Sequence, residues 1–311
     1  MLKIYKSDEK GLLQEQSDTV YGSWVCLTEP SEEEIHHVAS RLEVPVDFIR
    51  DSLDTDEPSR IEKDGNNLLI IINVPLKMAK GEVVPYRTVP IGIIQTNDII
   101  LSVCRVNHPI LQEFSENLVK LVFTNMKTRL SLQLLLVIAR YYLHYLDDIN
   151  QKIIATEKKI QKSIKNSEVY TLIHINKSLV YFTKALKVGL VVMRKLPRVL
   201  SVEMNEEDEK LMQATLIEMQ QALDTSEIYN TNLGNMMDAY SGAIEINLSI
   251  VVKVLTAFAV ISAYPLVTAS IYGMNVPLPW QDGQYALTIL MSISLIFSLV
   301  TGWIFYKMRL F

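Results

Sequence analysis

Cysteine is almost missing from this 311-residue chain: Cys26 and Cys104 stand far apart, with no CxxC pair. That excludes a disulfide framework or a zinc ribbon and suits a main body in a reducing compartment. A basic excess is missing too. Lys and Arg number 30 against 35 Asp and Glu, and the net charge of -5 argues against a nucleic-acid partner. Neither a GxxxxGK[ST] loop nor a GxGxxG after a strand occurs, so ATP- or dinucleotide-driven work and an organic cofactor are not expected. No hydrolytic or redox constellation stands out, and the chain does not read as an enzyme. Met1 to Glu9 lacks an apolar run of signal-peptide length, so the N-terminal body is expected to remain unexported. The most informative absence is of charge. Residues 254–281 and 284–306 hold no Asp, Glu, Lys, Arg or His. Each run exceeds the ~20 apolar residues that cross a hydrocarbon core of ~30 Å.

These runs predict a C-terminal transmembrane hairpin, with helices over about 253–272 and 284–306 and an outer loop over 273–283. The loop carries Asp282 but no Lys or Arg, whereas the outer ends carry Lys253, Lys307 and Arg309. By the positive-inside rule both termini are expected in the cytoplasm, with the hairpin in the plasma membrane.

The soluble part divides by composition. Residues 1–110 read as a cytoplasmic α/β domain, with strands at Trp24–Leu27, Leu68–Pro75, Val89–Gln95 and Ile99–Val103. Ser31 and Glu34 form the signature of a capping box at a helix start. Residues 111–252 read as helical, because glycine and proline become rare and apolar residues recur at three- and four-residue spacing, as from Leu132 to Ile153. A second helix is expected from about Val169 to Leu196, stopped by Pro197. A third starts near Asn205 and runs from about Glu206 to Ile271, leaving the cytoplasm and entering the bilayer. At 1.5 Å per residue it spans on the order of 100 Å, and a helix of that length calls for neighbours along it, which points to copies of itself. Residues 253–311 form the transmembrane domain. The fold class is thus an α+β cytoplasmic domain, a very long helix and a two-helix hairpin.

Few side chains suggest chemistry in the soluble part. His36 and His37 read as surface polar residues, and His108, His144 and His174 as isolated structural ones. The acidic run Glu206–Glu209 reads as a helix N-terminal charge cluster. Asp51, Asp54, Asp56 and Glu57 fall together, either as a solvated loop or as oxygen ligands for a hard divalent cation. Asp238 lies on the long helix, either exposed or facing a shared axis. Within the first membrane helix the hydroxylated side chains suit helix packing. Two helices cannot enclose an aqueous path, so any pore is shared among subunits. Its mouth would be a ring of Gly273 and Asn275 groups at the helix C-terminus, whose unpaired carbonyls favour a cation.

Tyr272-Gly273-Met274-Asn275, at the outer end of the first of two C-terminal membrane helices, resembles the YGMN motif of the CorA family of divalent-cation transporters. Met237-Asp238-Ala239-Tyr240 and Lys253-Val254-Leu255-Thr256 stand where that family has matching elements, as do Asp56, Glu57, Arg60 and Glu62. The similarity covers nearly the whole chain. The outer loop departs from a common family pattern: Met-Pro-Glu-Leu is replaced by Val276 to Asp282, where only Asp282 is acidic.

The resemblance implies a funnel-shaped homopentamer whose first membrane helices line a pore while the second face lipid. Family members carry Mg2+, some also Co2+ or Ni2+, and a related branch moves Zn2+. Carried over by position, Gly273, Met274 and Asn275 form the ion-selecting mouth. Ser270, Ala263, Ala259, Leu255 and Val252 line the pore, Leu255 and Val252 form a hydrophobic constriction, and Asp238 stands near the cytoplasmic end. Asp51, Asp54, Glu218, Asp224 and Glu227 are the candidates for regulatory Mg2+ sites that pair acids across subunits. The implied activity is passive Mg2+ uptake driven by membrane potential, selecting the hydrated ion and gated by cytoplasmic Mg2+. The alternatives are a Zn2+ or Co2+/Ni2+ transporter, with or without proton coupling, and a membrane-anchored scaffold or sensor. Pore positions offer no thiolate or imidazole, which favours a hard ion.

Overall fold

Leu68 to Ile72 is an unbroken apolar run because both of its faces are buried. The computed structural model describes residues 1–311 except 80, 163–165, 200–203, 275, 278–282 and 309–311. They form two compact units, Met1–Gly234 and Asn235–Phe311.

In the first unit the run lies in β5 (Asn67–Lys77), between β4 (Arg60–Asp64) and β6 (Tyr86–Gln95). The rest of the sheet comprises β1 (Leu2–Ser7), β2 (Leu13–Gln16), β3 (Trp24–Thr28) and β7 (Ile100–Cys104), in the order β2-β1-β3-β7-β6-β5-β4. All neighbours are antiparallel except β3 and β7, which pair in parallel from Trp24↔Ile100 to Thr28↔Cys104. The expected strands are all present, and the structure adds β1, β2 and β4. Two of these are the sheet's edges: β4 reads Arg-Ile-Glu-Lys-Asp and β2 buries only Leu13. Charged, short edge strands resist further pairing and lack an apolar signal.

Helices α1 (Glu32–Leu42) and α2 (Val46–Asp51) close one face, where Ile35, Val38, Phe48 and Ile49 meet Val25, Leu27, Leu69, Ile71 and Leu101. The Ser31–Glu34 capping box is formed in both directions, and His36 and His37 lie on the exposed side of α1. The approach of α2 requires Gly92: a Cβ there would stand 1.8 Å from Ser52 Oγ, which donates to the Phe48 carbonyl at 2.7 Å. The opposite face is covered by α4 (Lys127–Lys162) and α5 (Asn166–Val199). In α4 the predicted stripe of Leu132, Leu135, Leu136, Ile138, Ala139, Tyr142, Leu146, Ile149 and Ile153 is buried except for Leu136, which is half-buried. Pro197 does not stop α5 as the sequence suggested; it sits inside the last turn. Met193 and Leu196 are almost wholly buried there, and their packing keeps that turn helical despite the missing amide.

Between sheet and helices, α3 (Pro109–Ser115) is capped by His108. His108 Nδ1 accepts from the Ile110 amide at 3.2 Å and Nε2 lies 3.0 Å from the Pro75 carbonyl. Together these contacts fix the neutral ring with its proton on Nε2. Burial pushes His108 down to about 4, against the opposing pull of the Pro75 carbonyl. Between that value and the ordinary ~6.5 the unfolded chain binds a proton that the folded chain refuses, so stability falls as pH drops through this window. From pH 7 to 4 the unfolding free energy of the wild type is predicted to fall by about 3 kcal/mol more than that of His108→Asn, which keeps a capping acceptor but does not titrate. Parallel pH dependences for the two proteins would refute the assignment.

Candidate functional site

Helix α6 (Glu206–Tyr272) runs for 67 residues and contributes to both units, and α7 (Ala286–Lys307) completes the second. At the start of α6 the Asn205 side chain accepts from the Asp208 amide at 2.9 Å, capping the helix. Arg129 of α4 then grips the acidic first turn, reaching Asp208 at 2.9 Å, Glu207 at 2.8 Å and Asn205 at 3.2 Å. The acidic run is thus a charge cluster at a helix N-terminus, as expected. Its cationic partner on another helix was not legible in the sequence.

In the second unit α6 and α7 are both long and apolar enough to cross a membrane. They meet at Ile261 and Tyr264 of α6. Ala257, Ser294 and Ser298 are buried there. Tyr264 stacks on Phe297 with ring centres 6.0 Å apart and accepts from Thr301 Oγ1 at 3.2 Å. Ser298 Oγ donates to the Ile261 carbonyl at 2.9 Å.

The residues singled out as pore-lining occupy the other side. Val252, Leu255, Ala259, Ala263 and Ser270 are exposed in the single chain. At ~100° per residue they form a stripe roughly opposite the one that α7 covers. Asp238, also exposed, lies further down the same helix. The stripe ends at Gly273, whose amide continues the helical ladder to the Ala269 carbonyl at 3.0 Å. The next bond tightens: Met274 N–H reaches the Ile271 carbonyl at 3.2 Å. A Cβ on Gly273 would lie 3.2 Å from the Ala269 carbonyl oxygen, a crowded contact. Asn275 and Asp282 lie outside the described residues.

The acidic candidates do not converge. Asp51, at the end of α2, accepts from Arg60 at 2.7 Å, and Asp54 accepts the Asp56 amide at 3.0 Å. On α6, Glu218 pairs with Arg140 at 3.3 Å, Glu227 with Lys187 at 2.6 Å, and Asp224 accepts from Gln220 at 2.8 Å. Among the described residues no group of three His, Cys, Asp or Glu is placed to hold a metal. Arg60 is the organising charge of the N-terminal patch. Its guanidinium serves Asp51, Glu57 and Glu62 at once, so the patch carries its own cation.

Comparison with known proteins decides the family. The family model described as CorA-like Mg2+ transporter protein matches residues 21–307. The chain belongs to this family. The CorA-like chain is 24% identical over 289 residues to the cobalt/magnesium transport protein CorA of Methanocaldococcus jannaschii, covering 91% of itself and 90% of that relative. The complete structure of the M. jannaschii CorA magnesium transporter matches with a TM-score of 0.85 at 22% identity, covering 99% of this chain and 98% of that one. The ZntB cytoplasmic domain from Vibrio parahaemolyticus matches at 0.63 and 13% identity over 78% of this chain and 97% of its own. At such identities the solved structures speak for the fold alone. The CorA fold expected from the motif is therefore present. Its members are divalent-cation transporters rather than enzymes, and its membrane part is the α6–α7 hairpin.

Replacing Arg60 by Gln removes one cation from three carboxylates. The predicted result is a loss of about 1–2 kcal/mol in unfolding free energy at neutral pH, above the ~0.2–1 of an isolated exposed pair. Millimolar Mg2+ should stabilise the variant more than the wild type, by about the amount that was lost. Equal Mg2+ responses would show that the patch binds no cation in place of Arg60.

Proposed function

We propose that this CorA-family chain forms a passive divalent-cation channel that carries Mg2+ into the cell, built from five copies in the plasma membrane with both termini cytoplasmic. The observation that carries the reading is the uncharged stripe of α6 from Val252 to Ser270, left uncovered by α7 and leading to Gly273-Met274-Asn275. Two helices enclose no aqueous path, so the stripe becomes a pore wall only when copies assemble with it facing a common axis. In this arrangement residues 253–311 conduct, 111–252 form a cytoplasmic helical region that includes the long stalk helix, and 1–110 form the cytoplasmic α/β domain.

The chemistry suits a hydrated ion. Mg2+ gives up its waters reluctantly, so a ring of amides and carbonyls from Gly273, Met274 and Asn275 holds it without the grip of carboxylates. The C-terminal end of α6 adds a negative dipole at the same place. Below it, Ser270, Ala263 and Ala259 leave room for water, and Leu255 and Val252 form a constriction that closes by dewetting. Asp238 draws the ion towards the cytoplasmic exit. A divalent ion gains ~4.6 kcal/mol per 100 mV of inside-negative potential, at ~2.3 per charge, which makes ATP unnecessary. Following the family resemblance, regulatory Mg2+ sites drawn from Asp51, Asp54, Glu218, Asp224 and Glu227 pair acids across subunits. Bound Mg2+ there holds the channel closed.

The test is uptake of Mg2+, Co2+, Ni2+ and Zn2+ into proteoliposomes under an imposed potential, without ATP or a pH gradient. Mg2+ flux should rise with the potential. Asn275→Ala should cut Mg2+ flux or its preference over the other ions by about tenfold or more, as expected when a hydrogen bond to a charged species is lost. Intact flux and selectivity in the variant would remove Asn275 from the mouth. Dependence of flux on a pH gradient would replace the passive mechanism with a coupled one.

A further inference from the structure

Pro265 stands inside the membrane part of α6, seven residues before Tyr272, the last residue of the helix. Proline has no N–H, so the Ile261 carbonyl one turn earlier loses its helical donor. In a bilayer no water replaces it, and such a carbonyl needs a partner from a neighbouring helix. Ser298 of α7 supplies that partner at 2.9 Å, with its side chain buried in the hairpin.

The contact is selective. Hydroxyls inside helices usually bond back to their own backbone, and Ser292, Ser294 and Thr268 do so, to the carbonyls of Thr288, Met291 and Tyr264. Ser298 instead reaches across to the one carbonyl that Pro265 frees. The surrounding contacts hold it there. Gly302, one turn further along α7, lies beside Ile261, with 3.6 Å from its missing Cβ position to Ile261 Cδ1. Phe297 and Thr301 both engage Tyr264.

We propose that Ser298 is a positioning residue for the ion-selecting mouth. Its hydroxyl takes the place of the missing Pro265 amide and sets the direction of the two outer turns of α6. Proline is the commonest cause of a helix kink, so these turns have a hinge at their base. From Pro265 outward the helical ladder continues to Gly273, and Met274 is tied to the Ile271 carbonyl. Whatever fixes the hinge therefore fixes the angle at which Gly273 and Met274 are presented. This role rests on the proposed function, since it assigns to Ser298 the geometry of that mouth.

The test compares Ser298→Ala, Ser298→Thr, Pro265→Ala and the double variant Pro265→Ala/Ser298→Ala, each as the full-length protein. Two readouts are taken: the Mg2+ to Co2+ uptake ratio in proteoliposomes, and the thermal midpoint in detergent with the assembly state checked. Ser298→Ala should shift the uptake ratio by about two- to tenfold, the range that one net hydrogen bond corresponds to, and should lower the midpoint. Ser298→Thr, which keeps the hydroxyl, should restore both. Pro265→Ala returns the amide to the helix, so adding Ser298→Ala to it should change neither readout further. An unchanged ratio in Ser298→Ala overturns the positioning role. An equal effect of Ser298→Ala with and without Pro265 overturns the link to the freed carbonyl. A wild type that takes up no divalent ion overturns the transport reading and the positioning role with it. The Pro265 dependence of the midpoint then still decides whether the hydroxyl serves that carbonyl.

Discussion

Hydrocarbon offers backbone groups no water, and the second unit of this protein is arranged around that constraint. Each amide and carbonyl of the α6–α7 hairpin must find its partner within the protein. Regular helix answers almost all of the demand. Where Pro265 interrupts it, Ser298 answers the rest. Because α7 lies on the Ala257–Ile261–Tyr264 side of α6, the side bearing Val252, Leu255, Ala259, Ala263 and Ser270 is left bare. That bare side is uncharged and ends in a glycine-containing helix terminus.

The first unit serves a different need, which is to hold the start of α6 firmly. A sheet with an α1–α2 layer on one face and α4–α5 on the other provides the rigid body. Arg129 joins it to the acidic first turn of α6 through Asp208, Glu207 and Asn205. Neutral polar contacts add register higher up: Thr183 and Ser226 lie 2.8 Å apart, as do the Asn176 and Asn230 side-chain amides. Carboxylates on the same surfaces pair with single cations, as Glu218 does with Arg140 and Glu227 with Lys187. Such half-exposed pairs are worth little individually.

Much of this was legible in the residues. The Ser31–Glu34 box, the β-branched runs of β5, β6 and β7, and the uncharged C-terminal segments each carry a local signal. The YGMN motif carried the family. Edge strands such as Arg60–Asp64 were not legible, because their pairing needs no apolar pattern. Proline hid two features. Pro197 reads as a stop but is carried by packing, and Pro265 creates a need that Ser298 meets from another helix, which spacing does not reveal. The partners of charged groups were hidden for a related reason: Arg60 with its three carboxylates, and Arg129 with the start of α6, are fixed by tertiary geometry rather than by spacing.

The shared axis along α6 is open to direct chemical test by cysteine accessibility. The two native thiols, Cys26 and Cys104, are buried, and desolvation pushes them to about 11 and about 12, so they offer no reactive background. Cysteines placed singly at Ala259, Ala263 and Ala257 are treated with a charged, water-soluble thiol reagent during Mg2+ flux. Ala259→Cys and Ala263→Cys should be modified and their flux blocked, whereas Ala257→Cys, on the side covered by α7, should conduct unchanged. Block from the Ala257 position, or none from Ala259 and Ala263, would contradict an ion path along the bare side of α6.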